Sequence, residues 1–231
     1  MIYIFDVDGT LTKSRNVIDP KFKTFFEHFI SKNRVWLISG SDKDKTVEQL
    51  GHNIWGSVER AYQCSGNQLY VKGELVRENK FNHPYVLTLL EHFLINSEYK
   101  KQYGNHIEER PGMVNFSVVG RSCSQKQREE YFEWDKVNKE REKFVWEITQ
   151  RYPWLDATVG GEISIDIYNR GEDKGQIVQD VDSNFTFFGD RLEPGGNDYP
   201  VLRENISKKL KGNKFHQVKN WQETLNILKN E

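Results

Sequence analysis

The chain has 231 residues, with 33 Lys plus Arg set against 34 Asp plus Glu for a formal net charge of −1. That balance excludes a broadly basic nucleic-acid surface, so any electrostatic specialisation is local, and the length suffices for a core domain carrying a second one. The two cysteines, Cys64 and Cys123, follow neither a metal-ligand spacing nor a disulfide pattern, and there is no apolar run of about 18 residues; we expect a soluble chain of a reducing, cytoplasmic compartment, with no membrane and no nucleic-acid partner.

Taken in chain order, "MIYIF" is a β-type run, and "PKFKTFFEHFISKN" places apolar residues at helical spacing. "RVWLIS" reads as a second buried strand, and the later half of "GSDKDKTVEQLG" as a helix ending at Gly51. The C-terminal part repeats this alternation: a helix over Lys174 to Asp180, the strand "FTFFGD", and helices in "VLRENISKKL" and "WQETLNILKN". Such alternation predicts an α/β fold with a mainly parallel sheet covered by helices.

The middle differs. It holds the helical "HPYVLTLLEHFLINSEY", strand-like "IEERP", "GMVNFSVVG", "ATVGG" and "GEISIDIYN", and one long charged helix from about Gln125 to Arg151. This is the pattern of an α+β unit inserted into the α/β core, with 79–170 as the insertion and 1–78 plus 171–231 as the core. In the long helix Tyr131, Phe132, Phe144 and Val145 are packing candidates, while Arg141 and Lys143 are expected to pair with acids on helix faces. The six histidines form no cluster of zinc-ligand spacing.

The most informative stretch is "FDVDGTLT", where Asp6 and Asp8 end an apolar run. On a strand, residues i and i+2 face the same way, about 6 to 7 Å apart, at the carboxyl edge where open α/β sheets bind ligands. A lone Asp-Gly pair commonly makes only a turn. Here two carboxylates allow a division of labour: one stays ionised to attack phosphorus while the other exchanges a proton with the leaving or entering oxygen. A divalent cation would hold both anions and a phosphate together.

This motif resembles the first motif, DxDx(T/V), of the haloacid dehalogenase superfamily of phosphotransferases. The resemblance implies a Rossmann-like parallel-sheet core in which Asp6 becomes an aspartyl phosphate and Asp8 is the acid/base. Further pieces occur in the expected order. "VWLIS" ends in Ser39-Gly40-Ser41, where Ser39, or alternatively Ser41, would bind a phosphoryl oxygen, although either serine also suits a helix-capping turn. Lys174 in "RGEDKG" would offset the charge around the phosphoaspartate. In "FFGDRLEPGGND" Asp190 ends a strand and is the better metal ligand, joining Asp6 and Asp8 around Mg²⁺, whereas Asp198 holds the glycine-rich loop.

Within that superfamily, "RPGMVNFSVVGRSCSQKQREEYFEWDKVNKEREKFV", "GGEISIDIYNRGEDKG" and "FFGDRLEPGGNDY" resemble the eukaryotic-type phosphomannomutases, in which an α/β cap covers the active site. The resemblance implies that Arg110, Arg121 and Arg128 of the cap and Arg15 of the core bind sugar phosphate, and that Ser164 and Asp166 bind sugar hydroxyls. Planar guanidinium groups suit a remote phosphate dianion because each engages two oxygens. The implied activity interconverts mannose 6-phosphate and mannose 1-phosphate through a hexose 1,6-bisphosphate, which also serves as activator, and supplies mannose 1-phosphate for GDP-mannose synthesis. A homodimer through the cap is also implied, and "PYVLTLLEHFLI" and "FSVV" read as more apolar than a small unit buries alone.

The chain departs from that pattern at "GEDK" for the family's "GWDK", at "CSGN" over Cys64 to Asn67, and at Glu204, where an aspartate of a second cation site is common. None of these touches the acid pair. Two alternatives stand beside the mutase: a Mg²⁺-dependent sugar-phosphate phosphatase, and a non-catalytic sugar-phosphate binding protein. The complete set of Asp6, Asp8, Lys174 and Asp190 argues against the last.

Overall fold

A computed structural model describes residues 1–230. The residues form two compact units: Met1–Glu78 joined to the chain from Asp173 onward, and Asn79–Glu172.

In the first unit the elements run β1 (Ile2–Asp6), α1 (Pro20–Ile30), β2 (Arg34–Ile38), α2 (Lys43–Leu50), α3 (His52–Ser57), β3 (Arg60–Gln63), β4 (Gln68–Val71) and β5 (Glu74–Glu78). In the inserted unit α4 (Pro84–Asn96), β6 (Ile107–Arg110), β7 (Met113–Phe116), α5 (Gln125–Asn138), α6 (Glu140–Arg151), β8 (Leu155–Gly160) and β9 (Ser164–Asn169) follow. The chain then completes the first unit with β10 (Phe185–Gly189), α7 (Tyr199–Ser207), β11 (Lys214–Gln217) and α8 (Trp221–Asn230).

The seven-stranded sheet has the order β11-β10-β1-β2-β3-β4-β5. Its first five strands are parallel, and β4 and β5 are antiparallel additions. β1 leads outward through β2 on one side and meets β10 on the other, so the strand order reverses at β1 and leaves a crevice at its carboxyl end. Alternate side chains build two cores. Phe5, Val35, Leu37 and Phe188 join α1, α2, α3 and α8 on one face, while Ile2, Ile4, Trp36, Ile38, Phe185 and Phe187 form the other. Burial on both faces explains why these strands read as continuous apolar runs.

Local chemistry fixes the flanking helices. Asp19 caps α1 by accepting from Lys21 N (2.9 Å) and Phe22 N (3.3 Å), and Pro20 suits the first turn. Phe22, Phe26 and Ile30 then fall on one buried stripe, and Phe22→Ala would cost about 3 to 5 kcal/mol. α2 stops where Gly51 takes φ 85°, a value that costs glycine little.

The second unit is a four-stranded antiparallel sheet in the order β6-β7-β9-β8. Val114, Phe116, Ile165, Ile167 and Leu155 pack with Val86, Leu89, Leu90 and Phe93 of α4 and with Tyr131 and Ile148 of α5 and α6. The opposite register positions, Glu108, Arg110, Asn115, Ser164 and Asp166, leave a polar face. Phe116, Val118 and Val119 and the apolar stripe of α4 are buried within this unit, while Ile95 near the end of α4 stays exposed. Two expectations are corrected here. The single helix over Gln125 to Arg151 is two helices, broken at Lys139 with φ 56°. The buried Asp135 carboxylate turns the chain there, accepting from Arg141 N (3.0 Å) and Arg141 Nε (2.7 Å). Arg141 does pair with an acid, but inside the unit rather than on a helix face. Lys174 to Gln179 likewise forms a 3-10 turn in place of an α-helix. No helix among the described residues is long and apolar enough to cross a membrane.

Candidate active site

The carboxyl ends of β1 and β10 bring Asp6, Asp190 and Asp198 together, each offering one oxygen within 4.8 Å of the others. Asp6 ends β1, and Asp190 directly follows β10, the parallel neighbour of β1. Asp198 returns through the glycine-rich loop, where its Oδ2 accepts from Arg191 N at 3.2 Å. Gly9 takes φ +86°, and a Cβ at that position would run into the Asp190 carboxylate, so the loop after β1 approaches the site closely only as glycine.

Lys174 is the cation of this cluster. Its Nζ donates to Asp6 Oδ1 at 2.5 Å and to Asp198 Oδ1 at 2.7 Å, and its side chain is 2 % exposed. Asp173 holds the turn that carries it, accepting from Gly175 N (2.8 Å) and from Arg203 Nη2 of α7 (2.6 Å). Burial pushes the Asp6 carboxyl well up; Lys174 opposes this, while Asp198 and Asp190 add to it. Burial, and then the Asp198 charge, push Asp190 up to about 7 against the pull of Lys174 and Arg191. Burial by itself favours a neutral Lys174, but Asp198 and Asp6 outweigh it and hold the ammonium protonated. Three carboxylates, two buried and that of Asp190 half-buried, facing one ammonium lack positive charge. A set of hard oxygen donors with that deficit fits a divalent cation such as Mg²⁺.

Asp8 is not a member of this group. Its Oδ1 accepts from Arg15 N at 2.7 Å and from Gln49 Nε2 at 2.9 Å. The carboxylate group seen here is therefore Asp6, Asp190 and Asp198, rather than the expected Asp6, Asp8 and Asp190. The reason is that the chain turns immediately after Val7, whose carbonyl accepts from Leu11 N and Thr12 N, so Asp8 no longer continues the strand alternation. Asp198 takes both roles, as a loop anchor and as a member of the cluster.

Ser39, buried just beyond β2, accepts from Ser41 N at 3.0 Å, the capping-type turn weighed in the sequence. The buried Gln63 amide steadies this loop by donating to Ser41 O (3.0 Å) and Asp42 O (3.1 Å). Thr10, Gln49 and Gln63 were not signalled by the sequence. The Thr10 hydroxyl is fully buried without a partner in the protein, and its position inside "DGT" is the one available cue.

The remaining sequence candidates gather on the polar face of the second unit. Arg110 Nη2 and Arg121 Nε both donate to Glu108 Oε2, each at 2.7 Å. Arg121 Nη1 donates to Asn115 Oδ1 (2.6 Å) and reaches Ser164 Oγ at 3.4 Å. Asn115 Nδ2 donates in turn to Asp166 Oδ1 at 2.6 Å. Arg128 Nε meets Glu162 at 3.1 Å, and its Nη1 is buried without a partner. Glu108, Asn115 and Glu162 were missed, because acid and amide side chains on strands carry no signal until the register is known.

A family model described as eukaryotic phosphomannomutase matches residues 22–230. A phosphomannomutase of Dendrobium officinale is 33% identical over 212 residues, spanning 87% of this chain and 84% of its own. One of Encephalitozoon cuniculi is 35% identical over 214 residues, spanning 87% and 83%. Among solved structures, a haloacid dehalogenase-like hydrolase from Bacteroides thetaiotaomicron aligns with a TM-score of 0.62 at 11% identity, covering 99% of this chain and 98% of that one. At that identity the likeness is one of fold.

Proposed function

The chain belongs to the eukaryotic phosphomannomutase family, and from that membership we propose that it interconverts mannose 6-phosphate and mannose 1-phosphate through an aspartyl phosphate on Asp6. The observation that carries this proposal is the Lys174 ammonium seated between Asp6 and Asp198 at 2.5 and 2.7 Å. It opposes the burial that raises the Asp6 carboxyl and sets beside it a positive charge that can offset an incoming phosphate.

In the forward half-reaction, an Asp6 phosphoryl group passes to a sugar hydroxyl: the bond from Asp6 oxygen to phosphorus breaks and a sugar oxygen–phosphorus bond forms. Asp8 takes the hydroxyl proton. Two donors, Arg15 N and the Gln49 amide, already occupy Asp8 Oδ1, which leaves Oδ2 for the proton. The resulting hexose 1,6-bisphosphate turns around and returns its other phosphoryl group to Asp6, and Asp8 gives the proton back to the oxygen released. Ser39 or Ser41 and the Thr10 hydroxyl supply donors for phosphoryl oxygens. Asp6, Asp190 and Asp198 would hold Mg²⁺, which when bound draws charge from the phosphoryl oxygens. Arg15, Arg110, Arg121 and Arg128 recognise sugar phosphate, and Ser164 and Asp166 the sugar hydroxyls.

The proposal extends to assembly and location. Ile95, Trp146 and Trp154 of the second unit remain 77, 66 and 52% exposed, and this supports a homodimer through that unit; a monomer mass in light scattering at micromolar concentration would refute it. Two cysteines outside any disulfide support a cytoplasmic, reducing location.

The deciding experiment supplies mannose 1-phosphate with Mg²⁺ and a trace of hexose 1,6-bisphosphate. Mannose 6-phosphate is expected, formed faster with the bisphosphate than without it. Stoichiometric free phosphate in its place would assign the phosphatase activity instead.

A further inference from the structure

Two arginines on the polar face of the second unit share one acid. Glu108 and Arg110 stand two apart on β6 and so face the same way. Glu108 also lies opposite Asn115 of β7, whose Oδ1 takes the far side of Arg121 at 2.6 Å. A single carboxylate oxygen, Glu108 Oε2, is thereby held between Arg110 Nη2 and Arg121 Nε at 2.7 Å from each. A phosphate oxygen would make the same two contacts. The arginine side chains are 8 and 18% exposed and that of Glu108 is 30% exposed, so the acid is the member of the trio with the readier path to water.

Resting on the reading that Arg110 and Arg121 bind the phosphoryl group that is not reacting, we propose that Glu108 is an internal exchange anion. It occupies the two guanidinium groups when no phosphate is present, yields them to the dianion and retakes them as the dianion leaves. The mutase cycle creates the need. The bisphosphate must quit these arginines in every turnover, reverse and bind again. Departure that left Arg110 Nη2 and Arg121 Nε, on two largely buried guanidinium groups, with no anion between them would carry a desolvation cost and would hold the intermediate in one orientation. A carboxylate with one charge lowers that cost while still giving way to a dianion with two. Arg128 is arranged differently: its Nε meets Glu162, and its buried Nη1 stays open to a ligand, so its binding of phosphate needs no exchange.

The sign of the effect separates this role from a structural one. If Glu108 only held the arginines in place, its loss would misplace them and weaken phosphate binding. If it competes with phosphate, its loss strengthens binding. The test titrates mannose 6-phosphate calorimetrically into Asp6→Asn protein, in which phosphoryl transfer is blocked, and into the same protein carrying Glu108→Gln, Glu108→Ala or Arg121→Ala. Both Glu108 variants are expected to bind about tenfold more tightly, or ~1.4 kcal/mol, and Arg121→Ala more weakly. The alanine variant excludes a new donor from the glutamine as the cause. In the enzyme with Asp6 intact, Glu108→Ala lowers KM and kcat together.

If Arg121→Ala weakens binding while both Glu108 variants leave it unchanged or weaken it, the exchange role is wrong and the phosphate site stands. If Arg121→Ala leaves binding unchanged, the phosphate-site reading fails and the exchange role falls with it. Tighter binding with a parental kcat at saturating substrate would also overturn the exchange role.

Discussion

Lys174→Met removes the one ammonium that faces three carboxylates while keeping an unbranched, largely apolar stem. The lysine is 2% exposed and bonds Asp6 and Asp198 at 2.5 and 2.7 Å, so water cannot replace it cheaply. Breaking a buried pair by deleting one partner costs about 3 to 5 kcal/mol, and for a chain of this size each kcal/mol moves the melting temperature by roughly 2 to 4 °C. Metal-free variant protein at pH 8 should therefore melt about 6 to 20 °C below the parent. The pH dependence has a definite sign. Asp6 and Asp190 already titrate above the usual carboxylate range, Asp190 at about 7, and losing Lys174 raises them further. Between about pH 4, where unfolded aspartates ionise, and the folded values, the folded state holds protons that the unfolded state has released, so stability falls as pH rises. The deficit is then largest at pH 8 and small at pH 5, and Mg²⁺ reduces it by supplying charge. Turnover should fall by at least about 10² to 10³. Differential scanning calorimetry in EDTA at both pH values measures the first effect; a variant that melts with the parent at pH 8, or whose deficit is unchanged at pH 5, would refute the reasoning.

Asp6→Asn should abolish the mass gain of one phosphoryl group seen on incubation with hexose 1,6-bisphosphate, whereas Asp8→Asn slows turnover and leaves mannose 6-phosphate binding largely intact; wild-type activity in Asp6→Asn would remove the nucleophile assignment. EDTA should stop turnover and Mg²⁺ restore it, with Asp190→Asn and Asp198→Asn each raising the Mg²⁺ concentration needed for half-maximal rate. Burial pushes the Glu140 carboxyl up, against hydrogen bonds from Ser97 and Glu98 N, so its folded form favours the proton and stability falls as pH rises above the usual carboxylate value. Glu140→Gln keeps an acceptor for Glu98 N and should melt higher than the parent by a margin that grows from pH 4 to pH 8; a constant margin would contradict the assigned cause.

The core strands were legible because burial on both faces makes them nearly all apolar: β1, β2 and β10 stand out as apolar runs from Ile2, Val35 and Phe185, interrupted in β10 only by the buried Thr186. β4, β5 and β11 were not singled out, since β5 and β11 carry mostly exposed or half-exposed side chains and alternation there has no apolar partner. The break between α5 and α6 was hidden for a different reason. Helical spacing continues through Lys139, and only the buried contact of Asp135 with Arg141, made in three dimensions, favours a left-handed residue over one more turn.

The candidate site divides along the same physical line. Asp6, Lys174 and Asp190 were legible because each sits at or just beyond an element boundary beside an apolar run or a glycine, where a polar side chain is out of place for packing. Asp8 was legible as a residue but not in its placement. Strand alternation put its carboxylate beside that of Asp6, but alternation ends where the backbone turns, and the turn is closed by hydrogen bonds to Val7 O from Leu11 and Thr12, residues whose identities do not announce it. Asp198 and Gln49 were misjudged or missed because their contacts cross 24 residues to Lys174 and 41 residues to Asp8. A contact of that range is decided by strand order and helix placement, and no local pattern encodes it. Asp198 stands in the carboxylate cluster where strand alternation had put Asp8, and Asp8 is held instead through one oxygen by Arg15 N and the Gln49 amide, a placement that only the turn after Val7 decides.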